Sequence, residues 1–177
     1  MNILLLPGNS PRNEEWIEEV SEKLRDEFQQ HKILRYNHWL DDSQKFINMQ
    51  QELHRLDEAM NEFSGYGVFA KSAGTILTLL AIKESILDPK FCVFVGSAVG
   101  FASRLGYSFG ELISHISIPI LFIQKTNDPA CAFLDLKNLV ESQGLENAQF
   151  AEVAGNDHHY GDVEGLRLEI NRFVSIF

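Results

Sequence analysis

The fold prediction for this chain depends on Tyr66–Ile82, which reads YGVFAKSAGTILTLLAI. Its first part, Tyr66–Ala70, has the length and residue types of a buried strand, and Ala73–Ile82 is apolar enough for a helix buried on all sides. Ser72 lies in the short turn between them, with a small residue two positions before it and another two positions after it. A strand, a sharp turn with a central serine and a helix are typical of a nucleophile elbow.

Apolar runs of strand length alternate with amphipathic segments on both sides of this elbow. The predicted strands are Asn2–Leu6, Lys32–Leu40, Tyr66–Ala70, Phe91–Val95, Pro119–Ile123 and Gln149–Val153. The predicted helices are a segment from Pro11, capped by Ser10, to about Phe28, then Gln44–Phe63, Ala73–Ile82, Phe133–Val140 and a last helix capped by Asp162. This alternation predicts an α/β fold, a doubly wound three-layer sandwich with a mostly parallel six-stranded sheet.

Length and composition narrow the class of protein. The 177 residues are 45% hydrophobic and 23% charged, which predicts one globular domain, 1–177. The formal net charge of −10 argues against nucleic acid or an anionic membrane as a partner. The two cysteines lack the spacing of a zinc site, and we find no phosphate-binding or dinucleotide motif, so we expect no metal or cofactor. The sequence also shows no signal peptide, which predicts a cytoplasmic protein. The sequence leaves open whether the protein is a monomer or a homodimer.

Two further chemical groups follow later strands of the predicted sheet. Asp128 comes after the fifth strand and His158 after the sixth, so that Ser72, Asp128 and His158 occur in that chain order. Ligands of doubly wound sheets bind at the carboxyl ends of the strands, where these three loops would open onto one crevice. A serine needs a base to take its proton, and the base needs a carboxylate to orient it. These residues are therefore the candidate nucleophile, base and acid.

The same residues also admit simpler interpretations. Ser72 could cap the following helix, and Asp128 could serve only in an Asn-Asp-Pro turn. His158 could be a solvated loop residue, and the next residue, His159, is a competing candidate for the base. A metal site formed by Asp157, His158, His159 and Asp162 is a further alternative.

The negative charge that develops on a substrate oxygen would need hydrogen-bond donors. The backbone N–H of Ala73, at a helix N-terminus, can supply one. We expect the second from the loop after the first strand, Pro7–Ser10, where Gly8 allows close approach of the backbone. The Asn9 N–H is the assigned donor, with the Ser10 N–H as the alternative.

The chain resembles the α/β-hydrolase superfamily, and most of all the small, capless serine hydrolases of the retinoblastoma-binding-protein-9 type. The resemblance spans nearly the whole chain and rests on LLPGN (5–9), FAKSAG (69–74), TNDP (126–129) and GNDHHY (155–160). It implies the core sheet of that superfamily without its first two strands, a Ser-Asp-His triad and hydrolysis of an acyl bond, usually an ester.

Position by position, the resemblance places Ser72 as nucleophile, Asp128 as acid and His158 as base. The aromatic residue two positions after the histidine of the family corresponds to Tyr160, which puts His159 one residue out of register. Ala70 departs from the usual glycine and Lys71 from the commonest histidine. We expect the Lys71 side chain to point away from the nucleophile and to affect preference for substrate charge.

Residues 96–117 are the only stretch long enough for a minimal lid, expected as one helix with a loop. Such a lid would leave a shallow site suited to a short-chain or accessible ester, with Ser10, Lys71, Phe101 and Tyr107 as candidate substrate-binding residues. The main hypothesis is a carboxylesterase-like serine hydrolase acting on a small molecule. The alternatives are a thioesterase, a catalytically weak binding or scaffold protein of the same fold, and a flavodoxin-like ligand binder.

Overall fold

A computed structural model describes residues 1–40 and 45–176, and in these ranges it contains one sheet of six parallel strands. The strands are β1 (Asn2–Leu6), β2 (His31–Ile33), β3 (Tyr66–Lys71), β4 (Cys92–Val95), β5 (Ile120–Lys125) and β6 (Ala148–Val153). Their order across the sheet is β2-β1-β3-β4-β5-β6, and every neighbouring pair is parallel. The predicted α/β fold class is confirmed, with a wholly parallel sheet where a mostly parallel one was predicted.

Helices cover both faces of the sheet. They are α1 (Asn13–Lys23), α2 (Met49–Met60), α3 (Ala73–Lys83), α4 (Val99–Arg104), α5 (Phe109–Ile113), α6 (Phe133–Ser142) and α7 (Val163–Val174). Buried residues of α1 and α7 form one apolar cluster with one face of the sheet, and those of α2 to α6 form a second cluster with the other face. This arrangement gives the three predicted layers and explains why the central strands are apolar on both faces.

The segment after β2 departs from its prediction. The strand ends at Ile33 and does not continue to Leu40, and Asn37–Trp39 form a short 3-10 turn. The Tyr36 hydroxyl donates a hydrogen bond of 2.8 Å to the carbonyl oxygen of Pro7, in the loop that follows β1. This segment is therefore fixed by side-chain contacts with that loop and not by strand pairing within the sheet.

Two helix starts were also predicted wrongly. Ser10 and Pro11 lie in a turn, closed by a hydrogen bond from the Asn13 N–H to the Ser10 carbonyl, and α1 begins only at Asn13. It ends at Lys23, five residues before the predicted end. The second helix begins at Met49 behind the Asn48 cap, and Gln44, where it was predicted to begin, lies outside the described residues.

Residues 96–117 form two short helices, α4 and α5, where one helix with a loop was predicted. Phe109, Leu112 and Ile113 of α5 are buried in the core, whereas Phe101 of α4 is only partly buried. In the described ranges, no helix combines the length and the apolar character needed to cross a lipid bilayer.

Candidate active site

Ser72 lies on a strained backbone turn between β3 and α3. Its φ of 52° and ψ of −114° fall in a backbone region that residues other than glycine rarely adopt. The Ser72 N–H donates to the Val95 carbonyl at 3.0 Å, which ties the turn to the end of β4. A Cβ atom on Gly74 would lie 2.3 Å from the Leu6 carbonyl oxygen, so that close packing of α3 on β1 requires glycine there. The predicted elbow geometry is thus present at Ser72.

Ser72, His158 and Asp128 form one hydrogen-bonded series. The Ser72 Oγ lies 2.8 Å from His158 Nε2, and His158 Nδ1 lies 2.9 Å from both carboxylate oxygens of Asp128. A carboxylate only accepts, so Nδ1 carries the proton and Nε2 is free to accept from the serine hydroxyl. The Ser72 side chain makes no capping hydrogen bond to α3, and the interpretation of Ser72 as a helix cap is therefore wrong.

Asp128 is buried and accepts hydrogen bonds from three directions. Besides His158, the Ala130 N–H donates to Oδ1 and the Tyr160 hydroxyl donates to Oδ2, each at 2.8 Å. Burial acts to raise the pKa of Asp128, but these hydrogen bonds outweigh it and hold the pKa below its ordinary value. The turn predicted at Asp128 also exists, and it presents an ionised carboxylate to His158.

Lys125, at the end of β5, holds the loop that carries His158. Its Nζ donates to Asp157 Oδ1 at 2.8 Å and to the His159 carbonyl at 2.5 Å, so both neighbours of His158 are tied to one side chain. The His159 side chain is exposed, and it is His158 that lies against Ser72. Among the described residues, no cluster of three or more histidine, cysteine or acidic side chains could bind a metal ion.

The loop after β1 lies beside the elbow and is fixed by side chains that the sequence analysis did not identify. The Asn9 carbonyl accepts from His38 Nε2 at 2.7 Å and from Trp39 Nε1 at 2.9 Å. Its side-chain oxygen accepts from the Ile47 N–H at 2.7 Å.

The Ala73 N–H, at the first turn of α3, has no intrahelical acceptor. Neither this N–H nor that of Asn9 is hydrogen-bonded within the part of the chain that the structure describes, which leaves both able to bind a ligand oxygen.

Two open cavities meet at Ser72 and His158. One, of about 440 Å³, is lined by Phe46, Phe101, Arg104 and Pro129 together with small residues. The other, of about 550 Å³, is lined by Ser10, Arg12, Asn13, Trp16 and Lys71 together with Asn9 and His159. Three of the four candidate substrate-binding residues, Ser10, Lys71 and Phe101, thus border the site.

Tyr107 does not border either cavity. It lines a separate surface depression with Phe109 of α5 and Leu139 of α6, because α4 ends at Arg104 and the chain then turns toward those helices. Its predicted place in the substrate site is therefore wrong.

Lys71 is buried and is one of the residues that line the second cavity. Its Nζ donates to Asn13 Oδ1 at 2.7 Å and lies 4.9 Å from the centre of the Trp16 ring. Burial is the main cause that lowers the pKa of Lys71 to about 8, with Asp128 acting to raise it and Lys125 to lower it. Lys71 and Ser72 line the same cavity.

Comparison with known proteins identifies the fold. No family model and no curated protein matches the sequence. A protein from Xanthomonas campestris pv. campestris assigned to the α/β-hydrolase superfamily aligns over 99% of both chains, with a TM-score of 0.74 and 13% identity. The esterase Est1E from Butyrivibrio proteoclasticus, solved with ferulic acid bound, aligns over 99% of this chain and 88% of its own, with a TM-score of 0.71 and 16% identity. The monoacylglycerol lipase of Paleococcus ferrophilus aligns over 98% and 94%, with a TM-score of 0.67 and 13% identity. The chain has the fold of the α/β hydrolases.

Proposed function

We propose that this protein is a serine hydrolase that cleaves an acyl bond, with a short-chain or otherwise accessible carboxylic ester as its substrate. The observation that carries the proposal is the hydrogen-bonded series from Ser72 through His158 to Asp128, built on a strained elbow. The likeness in fold to esterases and a lipase supports it. Within that fold we assign the chain to the small hydrolases of the retinoblastoma-binding-protein-9 type.

In the proposed first half-reaction, Ser72 Oγ attacks the carbonyl carbon of the ester while its proton passes to His158 Nε2. The electron pair of the carbonyl bond moves to oxygen, which accepts hydrogen bonds from the N–H groups of Ala73 and Asn9. When that pair returns, the bond to the alcohol breaks and the alcohol leaves with the proton from His158. Ser72 then carries the acyl group.

In the second half-reaction, water takes the place of the alcohol. His158 removes one proton from the water as its oxygen attacks the acyl carbon, and then returns that proton to Ser72 Oγ as the acid leaves. Asp128 remains ionised and stabilises the imidazolium ring in both half-reactions. The reaction needs no metal or cofactor.

Labelling with a fluorophosphonate probe, measured by intact mass, tests the proposal because the probe reacts with a serine activated by its base. We expect one adduct on the wild-type protein and none on Ser72→Ala or His158→Ala. Hydrolysis of matched oxygen and thioesters then separates an esterase from a thioesterase. Folded wild-type protein that stays unlabelled and turns over neither class would refute the proposal and favour a binding or scaffold role.

A further inference from the structure

The second cavity at Ser72, of about 550 Å³, is defined here as the Lys71 cavity, and its lining includes Lys71, Asn13, Trp16 and Arg12. Asn13 and Trp16 are buried on α1, and Arg12 is exposed at the start of that helix. The lining of the cavity therefore combines the proposed nucleophile with one buried cation, Lys71, and one exposed cation, Arg12.

The ammonium group of Lys71 has no carboxylate partner among the described residues. Only 6% of the residue is exposed, and Asn13 Oδ1 is the one described acceptor of its three N–H donors. Burying a charge without a counterion is unfavourable, and most buried charges in proteins are paired. Lys71 thus presents unused donors to a cavity beside the proposed nucleophile.

Arg12 adds a second unpaired cation to the same cavity. In contrast, most of the 15 basic residues of this chain form ion pairs, as Lys125 does with Asp157 and Arg167 with Glu27. Neither Arg12 nor Lys71 pairs with an acidic residue in the described ranges, although the protein carries a net charge of −10. Six of the 15 basic residues lack an acidic partner in the described ranges, and two of these six, Lys71 and Arg12, line this one cavity beside Ser72.

We propose that the Lys71 cavity binds a carboxylate group of the substrate, so that the preferred esters carry a free carboxylate on one side of the scissile bond. This inference rests on the proposed function of Ser72. The carboxylate would accept hydrogen bonds from the Lys71 ammonium, and the exposed Arg12 would attract it. One buried ammonium neutralises one negative charge, which matches a carboxylate. The Trp16 ring offers an apolar surface for the carbon chain between the carboxylate and the ester.

The test compares kcat/KM within pairs of esters that differ only in this charge. The pairs are 4-acetoxybenzoate with its methyl ester, and mono-4-nitrophenyl adipate with 4-nitrophenyl hexanoate. Each kcat/KM is divided by the rate constant for hydrolysis of the same ester by hydroxide, which removes differences in intrinsic reactivity. We expect the charged member of at least one pair to be preferred roughly ten- to hundredfold, the range of a charge-assisted hydrogen bond. Lys71→Met should reduce that ratio to about one, and Arg12→Ala should reduce it several-fold.

Lys83→Met is the matched control, because Lys83 lies on the surface and pairs with Glu111. It should retain the wild-type ratio. If Lys71→Met fails to fold, the exposed Arg12 variant still tests the cavity. A wild-type ratio near one, or a loss in Lys71→Met that is equal for both esters, would overturn the inference while leaving the proposed hydrolase intact.

A binding measurement separates this inference from the proposed function. Calorimetry on Ser72→Ala should detect 4-hydroxybenzoate but not its methyl ester, and the double variant with Lys71→Met should lose that binding. Carboxylate binding, together with a wild type that is neither labelled by the fluorophosphonate nor active on either ester class, would support the cavity and refute the hydrolase. Equal binding of both compounds, or stronger binding of 4-hydroxyphenyl phosphate, would overturn the assignment to a carboxylate.

Discussion

The hydroxyl group of Tyr160 donates a hydrogen bond of 2.8 Å to Oδ2 of Asp128 and accepts one of 2.9 Å from the backbone N–H of Lys125. Tyr160 is buried, so neither bond is readily replaced by water. Burial and the neighbouring Asp128 carboxylate raise the pKa of Tyr160, which therefore stays a neutral donor. The phenol thus links the end of β5 to the acid that orients His158.

Tyr160→Phe should lower both activity and stability. It leaves the Lys125 N–H buried without an acceptor, at about 1–3 kcal/mol of stability, and removes one donor from Asp128. If the less well oriented Asp128 and His158 raise the activation free energy by about 1 kcal/mol, kcat falls about fivefold. Urea unfolding and ester turnover measure the two effects. Wild-type kcat in the Phe variant would contradict the orienting role.

The strained turn at Ser72 predicts an unusual order of stability. Because φ is 52°, glycine at position 72 relieves backbone strain that alanine keeps. The greater conformational freedom of glycine in the unfolded chain cancels part of this gain, so Ser72→Gly should be about 1–2 kcal/mol more stable than Ser72→Ala. The matched pair is Ser103→Gly and Ser103→Ala in α4, where alanine should be the more stable by up to about 1 kcal/mol. The same order of Gly and Ala at both positions would argue against strain at the elbow.

Gly74 should not tolerate a methyl group. In Gly74→Ala the new Cβ would lie 2.3 Å from the Leu6 carbonyl, so α3 must shift from β1, with a loss of about 3 kcal/mol. In the matched variant Gly100→Ala the nearest atom is 3.5 Å away, which is ordinary contact, and the change should stay within about 1 kcal/mol. Chemical denaturation compares the two. Equal stability of both variants would contradict the close packing at the elbow.

The sequence predicted those parts of the molecule that depend on local pattern. β1 has its predicted bounds, and β3 extends only one residue further, because each is a continuous apolar run with a clear end. The elbow was recognised from small residues at fixed spacing, a local steric requirement. That Ser72, Asp128 and His158 would meet at one crevice then followed from the rule that ligands of doubly wound sheets bind at the carboxyl ends of the strands.

Contacts between side chains far apart in sequence could not be predicted in this way. His38 and Trp39 hold the Asn9 carbonyl from about 30 residues away, and no spacing rule connects them. The ties from Lys125 to the His158 loop likewise need the register of β5 against β6. Tyr160 had one available signal, its position two residues after His158, but its bond to Asp128 required coordinates.

Lys125→Met should impair catalysis mainly through the position of His158. The methionine keeps most of the apolar stem but removes the bonds to Asp157 and to the His159 carbonyl, so the loop on both sides of His158 is released. We expect kcat to fall about tenfold with little change in KM, as loss of positioning alone would do. Asp157→Asn, which removes the charge of this ion pair but keeps an oxygen that can accept from Lys125 and from the His159 N–H, should have a much smaller effect. A change confined to KM would contradict the positioning role.

The buried ammonium of Lys71 predicts a specific pH dependence of stability. Burial lowers the pKa of Lys71 from 10.5 to about 8, so between these values the unfolded chain binds a proton that the folded chain releases. Stability due to this residue therefore rises with pH above about 8, and below that value the cost of burial is fully present. The lowered pKa corresponds to a cost on the order of 3 kcal/mol at neutral pH.

The comparison of wild type with Lys71→Met isolates this contribution from that of the buried tyrosines, which titrate in both proteins. The free energy of unfolding of the wild type minus that of the variant should increase by about 1–2 kcal/mol between pH 7 and pH 9.5. Urea unfolding at several pH values measures it. A carboxylate ligand such as 4-hydroxybenzoate should reduce the increase, because the carboxylate stabilises the charged form and raises the pKa of Lys71 again. A difference independent of pH would mean that the ammonium of Lys71 is not destabilised by its burial.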